Sequence, residues 1–339
     1  MRALLFDLDG LLIDSEDAYS TVTNTILREH SRPDLPWYIK AQLQGRPAPE
    51  AGRIFQQWAQ LPISYEEFTA RQRELFRAAF TKCRPLPGVE ELLGSINAHN
   101  GWDGVSAEPD KDGLRRRRRS RRIHVGLVTS SLRANVELKT SHMRDLFSVF
   151  PPENIFVGDD PRVPRGRSKP LPDIYLLALQ TINESIGDGE TEVRANECLA
   201  FEDSVLGVEA ARRAGMRVVW CPHPGLLGVY RGREKEVMAG RTSLHKEEEV
   251  LEHASGPPIE GSPGKVGEVD DGWAELVESL EGFDLGRYGI ELVEARNGVE
   301  SWQSTGPGAT DKELEEMTAL VNGKVHASEE GSRFGSVRD

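Results

Sequence analysis

The sequence predicts an α/β fold: a doubly wound parallel-sheet (Rossmann-like) core with an α-helical module inserted after the first strand. Three observations lead there. Short apolar runs recur along the chain, each bounded by charged or turn-forming residues. Helix-like segments alternate with these runs, the order that builds a parallel sheet covered by helices. One long stretch of helical character, without such a run, separates the first apolar run from the second.

The first strand is Ala3 to Phe6, wholly apolar, which suits a parallel sheet covered on both faces. Asp17 to Arg28 contains neither glycine nor proline and reads as a helix. Ser64-Tyr65-Glu66-Glu67 is a capping box that opens a helix reaching about Phe80. Phe55, Trp37 and Trp58 are the expected apolar core of this module. Pro85-Leu86-Pro87-Gly88 marks the return to the sheet, and Val89 to Ala98 is the next helix. Val125 to Thr129 is the second strand, followed by a helix over Asn135 to Leu146. Ile155 to Val157 is the third strand, and a helix starts at Pro172. Cys198 to Phe201 is the fourth strand, Val205 to Ala214 a helix ended by Gly215, and Val218 to Trp220 the fifth strand.

The chain therefore divides into a core (1–14 plus 84–230) and a helical cap (15–83). Residues 100–122, with the run Arg115 to Arg122, are expected to be a disordered surface insertion. Residues 231–269 read as a low-complexity insertion, and 270–290 as an extension docked on the core, with a helix over Trp273 to Leu280. Residues 291–339 read as a mostly disordered tail, with one helix over Lys312 to Leu320.

Hydrophobic residues make up 38% and charged residues 29% of the 339, which points to a soluble protein. No apolar run approaches the ~20 residues of a membrane helix, and no secretory leader is expected. Cys83, Cys198 and Cys221 lie too far apart in sequence for a metal cluster and read as reduced thiols. A cytoplasmic location is expected, with nuclear import through Arg115 to Arg122 left open. A formal net charge of -13 argues against general nucleic-acid binding. A monomer is the expected state.

Four chemical signals each follow a predicted strand, where open parallel sheets place their ligands. They are Asp7-Leu8-Asp9-Gly10, Ser130 with Ser131, Lys169, and Glu202-Asp203. Each alone is ordinary: a solvated turn, a helix cap, a surface lysine, a turn. Together they bring Asp7, Asp9, Glu202 and Asp203 to one crevice, where like charges demand a cation. An all-oxygen donor set suits Mg²⁺. Lys169 and the hydroxyls of Ser130 and Ser131 are the groups a phosphate needs. Asp7, ionised if its pKa is near ~3.9, is the candidate nucleophile toward phosphorus. Asp9, two residues on and expected on the same face, is the candidate acid and base. Gly10 allows a sharp turn and offers its N–H to the phosphate.

FDLDGLLIDSE, VTSS, SKPLPD and FEDSVLGVEAARRAGM resemble the four motifs of the haloacid dehalogenase superfamily, in the subgroup with a helical cap. The resemblance covers roughly residues 1 to 225. It implies a phosphoric monoester hydrolase working through an aspartyl-phosphate on Asp7. Asp9 would be the acid/base and a metal ligand through its backbone carbonyl. Ser130 and Lys169 would bind phosphate, and Asp203, with Glu202 close by, would hold Mg²⁺. AYS at 18–20, GRPAPEAG at 45–52, LKTSHMRDLFSVF at 138–150 and VGDDPRV at 157–163 resemble the eukaryotic pseudouridine-5'-phosphatase family. That likeness implies pseudouridine 5'-phosphate as the substrate, with Gly45 and Arg46 of the cap facing the leaving group. The alternatives are a sugar or polyol phosphate phosphatase (2-deoxyglucose 6-phosphate or glycerol phosphate), a β-phosphoglucomutase-like mutase, or an inactive interaction protein. Tyr19 stands where the mutases usually carry a histidine, which favours hydrolysis. Ser168 departs from the glycine usual before the lysine of the third motif.

Overall fold

The computed structural model describes residues 1–46, 48–101, 122–187, 189–241 and 266–292. Six strands form one sheet: β1 (Ala3–Phe6), β2 (His124–Val128), β3 (Ile155–Phe156), β4 (Cys198–Glu202), β5 (Arg217–Trp220) and β6 (Ala274–Leu276). Their order is β3-β2-β1-β4-β5-β6, and every pairing is parallel. The sequence thus begins in the middle of the sheet and winds outward in both directions.

Alternation along the strands splits the apolar residues between two faces. Leu4, Phe6, Leu127 and Phe201 pack with Leu93 and Ile96 on one side. Ala3, Leu5, Val128, Ala200 and Val218 pack with Tyr175 and Ala211 on the other. The register sets Phe6 opposite both Leu127 and Phe201. The carboxyl ends of the three central strands therefore lie level, and the residues just beyond them meet.

Between β1 and β2 run α1 (Ser15–Glu29), α2 (Trp37–Leu43), α3 (Ala48–Ala59), α4 (Tyr65–Phe80) and α5 (Val89–Asn100). The first four are the helical module, with its own core of Val22, Ile26, Leu27, Phe55, Ala59 and Phe68. The Ser64 capping box forms as expected. Trp58 packs against this core, whereas Trp37 instead stacks on His223 beyond β5, with ring centroids 4.5 Å apart. Asn100 pairs its side chain with both the N–H and the carbonyl of Ile123, just before β2.

The remaining helices are α6 (Arg133–Thr140), α7 (Arg144–Phe147), α8 (Asp173–Glu184), α9 (Val205–Arg213), α10 (Pro224–Val229) and α11 (Glu234–Met238). Two expectations are corrected. The single helix over Asn135 to Leu146 breaks into α6, a tight turn at Ser141–Met143, and α7. Side-chain hydroxyls compete for the backbone there: Thr140 bonds the Val136 carbonyl and Ser141 that of Leu138. The helix over Trp273 to Leu280 is instead the edge strand β6. The free edge of β5 decides this, with Val218 N–H bonding the Trp273 carbonyl and Val277 N–H that of Trp220. Within 231–269, Glu234–Met238 is helical and buries Val237. Phe283 lies edge-on to Phe201 at 5.1 Å, and Leu285 and Ile290 are buried. Most of the Arg-rich insertion, the stretch 242–265, and the tail with its expected helix at Lys312 to Leu320 lie outside the described residues. No described helix is long and apolar enough to cross a membrane.

Candidate active site

Asp7 is the first residue beyond β1, and its N–H still bonds the carbonyl of Phe201 in the neighbouring strand. Its side chain is buried. Oδ1 accepts from Lys169 Nζ at 2.7 Å and Oδ2 from the Asp9 N–H at 2.9 Å. Lys169 arrives from the loop between β3 and α8, and it also bonds Glu202 Oε1 at 2.6 Å and the Val128 carbonyl at 3.0 Å. Glu202 ends β4, wholly buried, and the same Oε1 accepts from the Tyr175 hydroxyl of α8. Asp203 follows, its carbonyl held by Trp220 Nε1 at 2.9 Å and its Oδ2 accepting from Gln44 of the helical module.

Asp7, Glu202 and Asp203 each offer a carboxylate oxygen within 4.8 Å of the others. Burial pushes the Asp7 carboxyl up to about 7; Lys169 opposes this, while Glu202 and Asp9 add to it. Burial also lifts Asp203 well above the carboxylate range, with repulsion from Asp7, Glu16 and Glu202. Burial, and three carboxylates facing one ammonium, thus work against an ionised Asp7, and a cation beside it would work the other way. The donors are all oxygen, and the charge they lack is positive. They fit a hard divalent cation such as Mg²⁺.

Asp9 lies near Asp7, whose carboxyl its charge helps to raise. β1 ends at Phe6, so strand alternation no longer governs its direction. Oδ1 accepts from Ser15 Oγ at 2.5 Å and from Lys139 Nζ, and Oδ2 accepts from Ser131 Oγ at 2.5 Å, with Thr129 Oγ1 at 3.4 Å. Burial alone would raise its pKa, but Lys139 and the hydroxyls of Ser131 and Ser15 outweigh burial and hold the carboxyl below its usual range.

The other residues singled out in the sequence occupy distinct places. Gly10 has φ +77°, and a Cβ there would lie 2.4 Å from Asp203 Oδ2, so glycine is required twice over. Its N–H donates to the Ile13 carbonyl at 3.0 Å, a use that differs from the expected phosphate contact. Ser130 is half-buried at the end of β2, whereas the hydroxyl of Ser131 is engaged with Asp9. Gly45 has φ +74° and approaches Ser204, whose Oγ would lie 3.2 Å from an added Cβ. Arg46 spends its guanidinium on the Gln42 carbonyl and on Glu50, one turn on. Sequence reasoning missed Ser15, Gln44, Thr129, Lys139 and Tyr175. The only signal for Lys139 was its place three residues after Val136, on the buried face of α6.

A buried acidic cluster, a lysine between two of its members and a fourth carboxylate paired with a lysine of its own, all at the carboxyl edge of a parallel sheet, define a phosphoryl-transfer hydrolase. The chain belongs to the haloacid dehalogenase-like hydrolases: that family's pattern matches residues 1–215. It is 36% identical over 252 residues to a probable pseudouridine-5'-phosphatase of Saccharomyces cerevisiae, covering 74% of this chain and 95% of that one. A probable pseudouridine-5'-phosphatase of Drosophila melanogaster is 32% identical over 72% of this chain and 91% of its own length. (DL)-glycerol-3-phosphatase 2 of Arabidopsis thaliana is 29% identical over 76% and 93%. The protein is a phosphatase of the haloacid dehalogenase-like hydrolase family.

Proposed function

We propose that the protein is a Mg²⁺-dependent phosphate monoester hydrolase acting through an aspartyl-phosphate on Asp7, with pseudouridine 5'-phosphate as its substrate. The cluster of Asp7, Glu202 and Asp203 around Lys169 carries this reading. Asp7 and Asp203 are the residues that would hold Mg²⁺, with Glu202 beside them keeping Lys169 in place. When bound, the cation supplies the charge that favours ionised Asp7 and withdraws electron density from the phosphoryl oxygens.

Asp7 Oδ attacks phosphorus, and the bond from phosphorus to the ester oxygen breaks. Asp9, held ionised at rest by Lys139, Ser131 and Ser15, takes up a proton from solvent as substrate binds and gives it to that leaving oxygen. Asp9, now a carboxylate, takes a proton from a water that attacks the aspartyl-phosphate, and inorganic phosphate leaves with Asp7 regenerated. Lys169, beside Asp7, adds positive charge next to the transferring oxygens.

The helical module serves as the cap, reaching the core through Gln44 at Asp203 and Gly45 at Ser204. The nucleotide assignment is supported by the names of the yeast and fly relatives, and the Arabidopsis relative makes glycerol phosphate the second reading. All three cysteines are free thiols, in keeping with a reducing cytoplasmic setting.

Phosphate release from EDTA-treated protein, with and without added Mg²⁺, tests the chemistry. A panel of pseudouridine 5'-phosphate, uridine monophosphate, glycerol phosphate and 2-deoxyglucose 6-phosphate tests the substrate. We expect no release without Mg²⁺ and the highest kcat/KM for pseudouridine 5'-phosphate. Full activity in EDTA overturns the metal assignment; a win for glycerol phosphate overturns the substrate alone.

A further inference from the structure

Lys139 lies on α6, in the core, and its side chain is wholly buried. A buried ammonium is strongly disfavoured unless paired and hydrogen-bonded. Its three N–H donors all find acceptors: Asp9 Oδ1, the Tyr19 hydroxyl at 3.0 Å and Ser131 Oγ at 3.0 Å. The ammonium lies 4.5 Å from the ring centre of Phe80 and 4.8 Å from that of Tyr19, within cation–π range of both. Tyr19 is on α1 and Phe80 on α4, so this one cation is gripped by two helices of the module and bonded to the motif loop.

Asp9 has no comparable freedom either. Ser15, Ser131 and Lys139 converge on its two oxygens, and Lys139 is the charged member. A proton donor acts only within hydrogen-bond reach and along a productive direction, so whatever orients Asp9 controls proton transfer. Lys169 performs no such task for Asp9, since its bonds go to Asp7, Glu202 and the Val128 carbonyl. Two adjacent aspartates are thus served by two different lysines from different parts of the chain.

We infer that Lys139 is a positioning residue, which fixes the Asp9 carboxylate for proton transfer to the leaving group and ties its orientation to the seating of the helical module. This rests on the reading of Asp9 as acid and base. Charge-assisted hydrogen bonds are shorter and stronger than neutral ones, so the ammonium, more than the two hydroxyls, locks the rotamer. All three donors of Lys139 are spent on Asp9, Tyr19 and Ser131, so it acts on the proton transfer through Asp9.

The test is kcat/KM for K139M, D9N and the double variant, on the best alkyl phosphate of the panel and on p-nitrophenyl phosphate. An alkoxide leaving group needs a proton and p-nitrophenolate does not. We expect K139M to lose roughly tenfold to a hundredfold on the alkyl phosphate, within the range of general acid catalysis, and only about a few fold on the aryl phosphate. In the D9N background K139M should add no further loss, because two residues acting as one unit are not additive. Where K139M does not give soluble protein, K139Q carries the same comparison, and the charge-free double variant retains a neutral pair. Equal losses on both substrates, or a full additional loss in D9N, overturn the positioning role and leave Lys139 a structural residue. If D9N itself shows no leaving-group dependence, the acid role of Asp9 falls first, and the inference with it.

Discussion

Lys169 stands 162 residues along the chain from Asp7, yet its ammonium lies 2.7 Å from Asp7 Oδ1. Parallel pairing brings this about. β1 is flanked by β2 and β4, so the loops following all three strands open on the same edge, and the β3–α8 loop delivers Lys169 from beyond β2. The same ammonium bonds Glu202, which leaves one cation for three clustered carboxylates.

Asp7→Asn keeps the shape of the side chain and removes the attacking anion. We expect turnover to fall by roughly 10⁴-fold or more, the scale seen when a covalent nucleophile is lost. The circular dichroism spectrum should be unchanged. Wild type acid-quenched during turnover should carry acyl-phosphate, and the variant none. Turnover near the wild-type rate would remove Asp7 from the mechanism.

Asp203→Asn relieves repulsion in the metal-free protein and deletes a candidate ligand. Without Mg²⁺ the variant should melt at or slightly above the wild-type temperature. With Mg²⁺ at about a hundred times Kd, the wild type should gain about 2.7 kcal/mol, enough for several degrees. The variant should gain little. Scanning calorimetry at matched ionic strength reads both, and an equal Mg²⁺ response in the two proteins would exclude Asp203 as a ligand.

Gly10→Ala forces a side chain into a backbone at φ +77° and places Cβ 2.4 Å from Asp203 Oδ2 and 2.7 Å from Glu16 Cγ. A left-handed non-glycine residue costs of order 1–2 kcal/mol before any clash. We expect lower stability together with a weaker response to Mg²⁺, because Asp203 must move. A stable variant with normal Mg²⁺ activation would show that the turn has slack.

Asp160 and Arg162 clasp the start of the loop that carries Lys169. The carboxylate takes the Arg162 N–H at 3.0 Å and its guanidinium at 2.7 Å, and Arg162 reaches Thr181 of α8. The hydrogen bonds from Arg162 outweigh burial and hold the Asp160 carboxyl below its usual range. A carboxylate with a depressed folded pKa stabilises above its unfolded value of about 3.9 and loses that contribution as pH falls through the folded value. Asp160→Asn should therefore lower the melting temperature at pH 7, and the gap to wild type should close below about pH 4. A gap independent of pH would mean that the clasp contributes through packing and not through charge.

Much of this protein could be read along the chain. Asp7, Lys169, Glu202 and Asp203 were legible because the first and the last two follow apolar strands in a fold that gathers such positions at one edge. Covalent proximity to a strand end, together with parallel winding, was enough to bring them together. The tertiary structure alone decided which side chains look at them. Lys139, Tyr175 and Gln44 sit on or just after helices, and a helix can turn any of its faces inward; packing against Phe80, the sheet and Ser204 selected these. Asp9 lay just past the end of a strand, where alternation no longer sets direction, and four donors drawn from three other segments hold its carboxylate. The segment at Ala274 to Leu276 was locally compatible with helix or strand. The unpaired edge of β5 made it a strand, because a backbone N–H or carbonyl removed from water must find a partner, and only an extended neighbour could supply them in register.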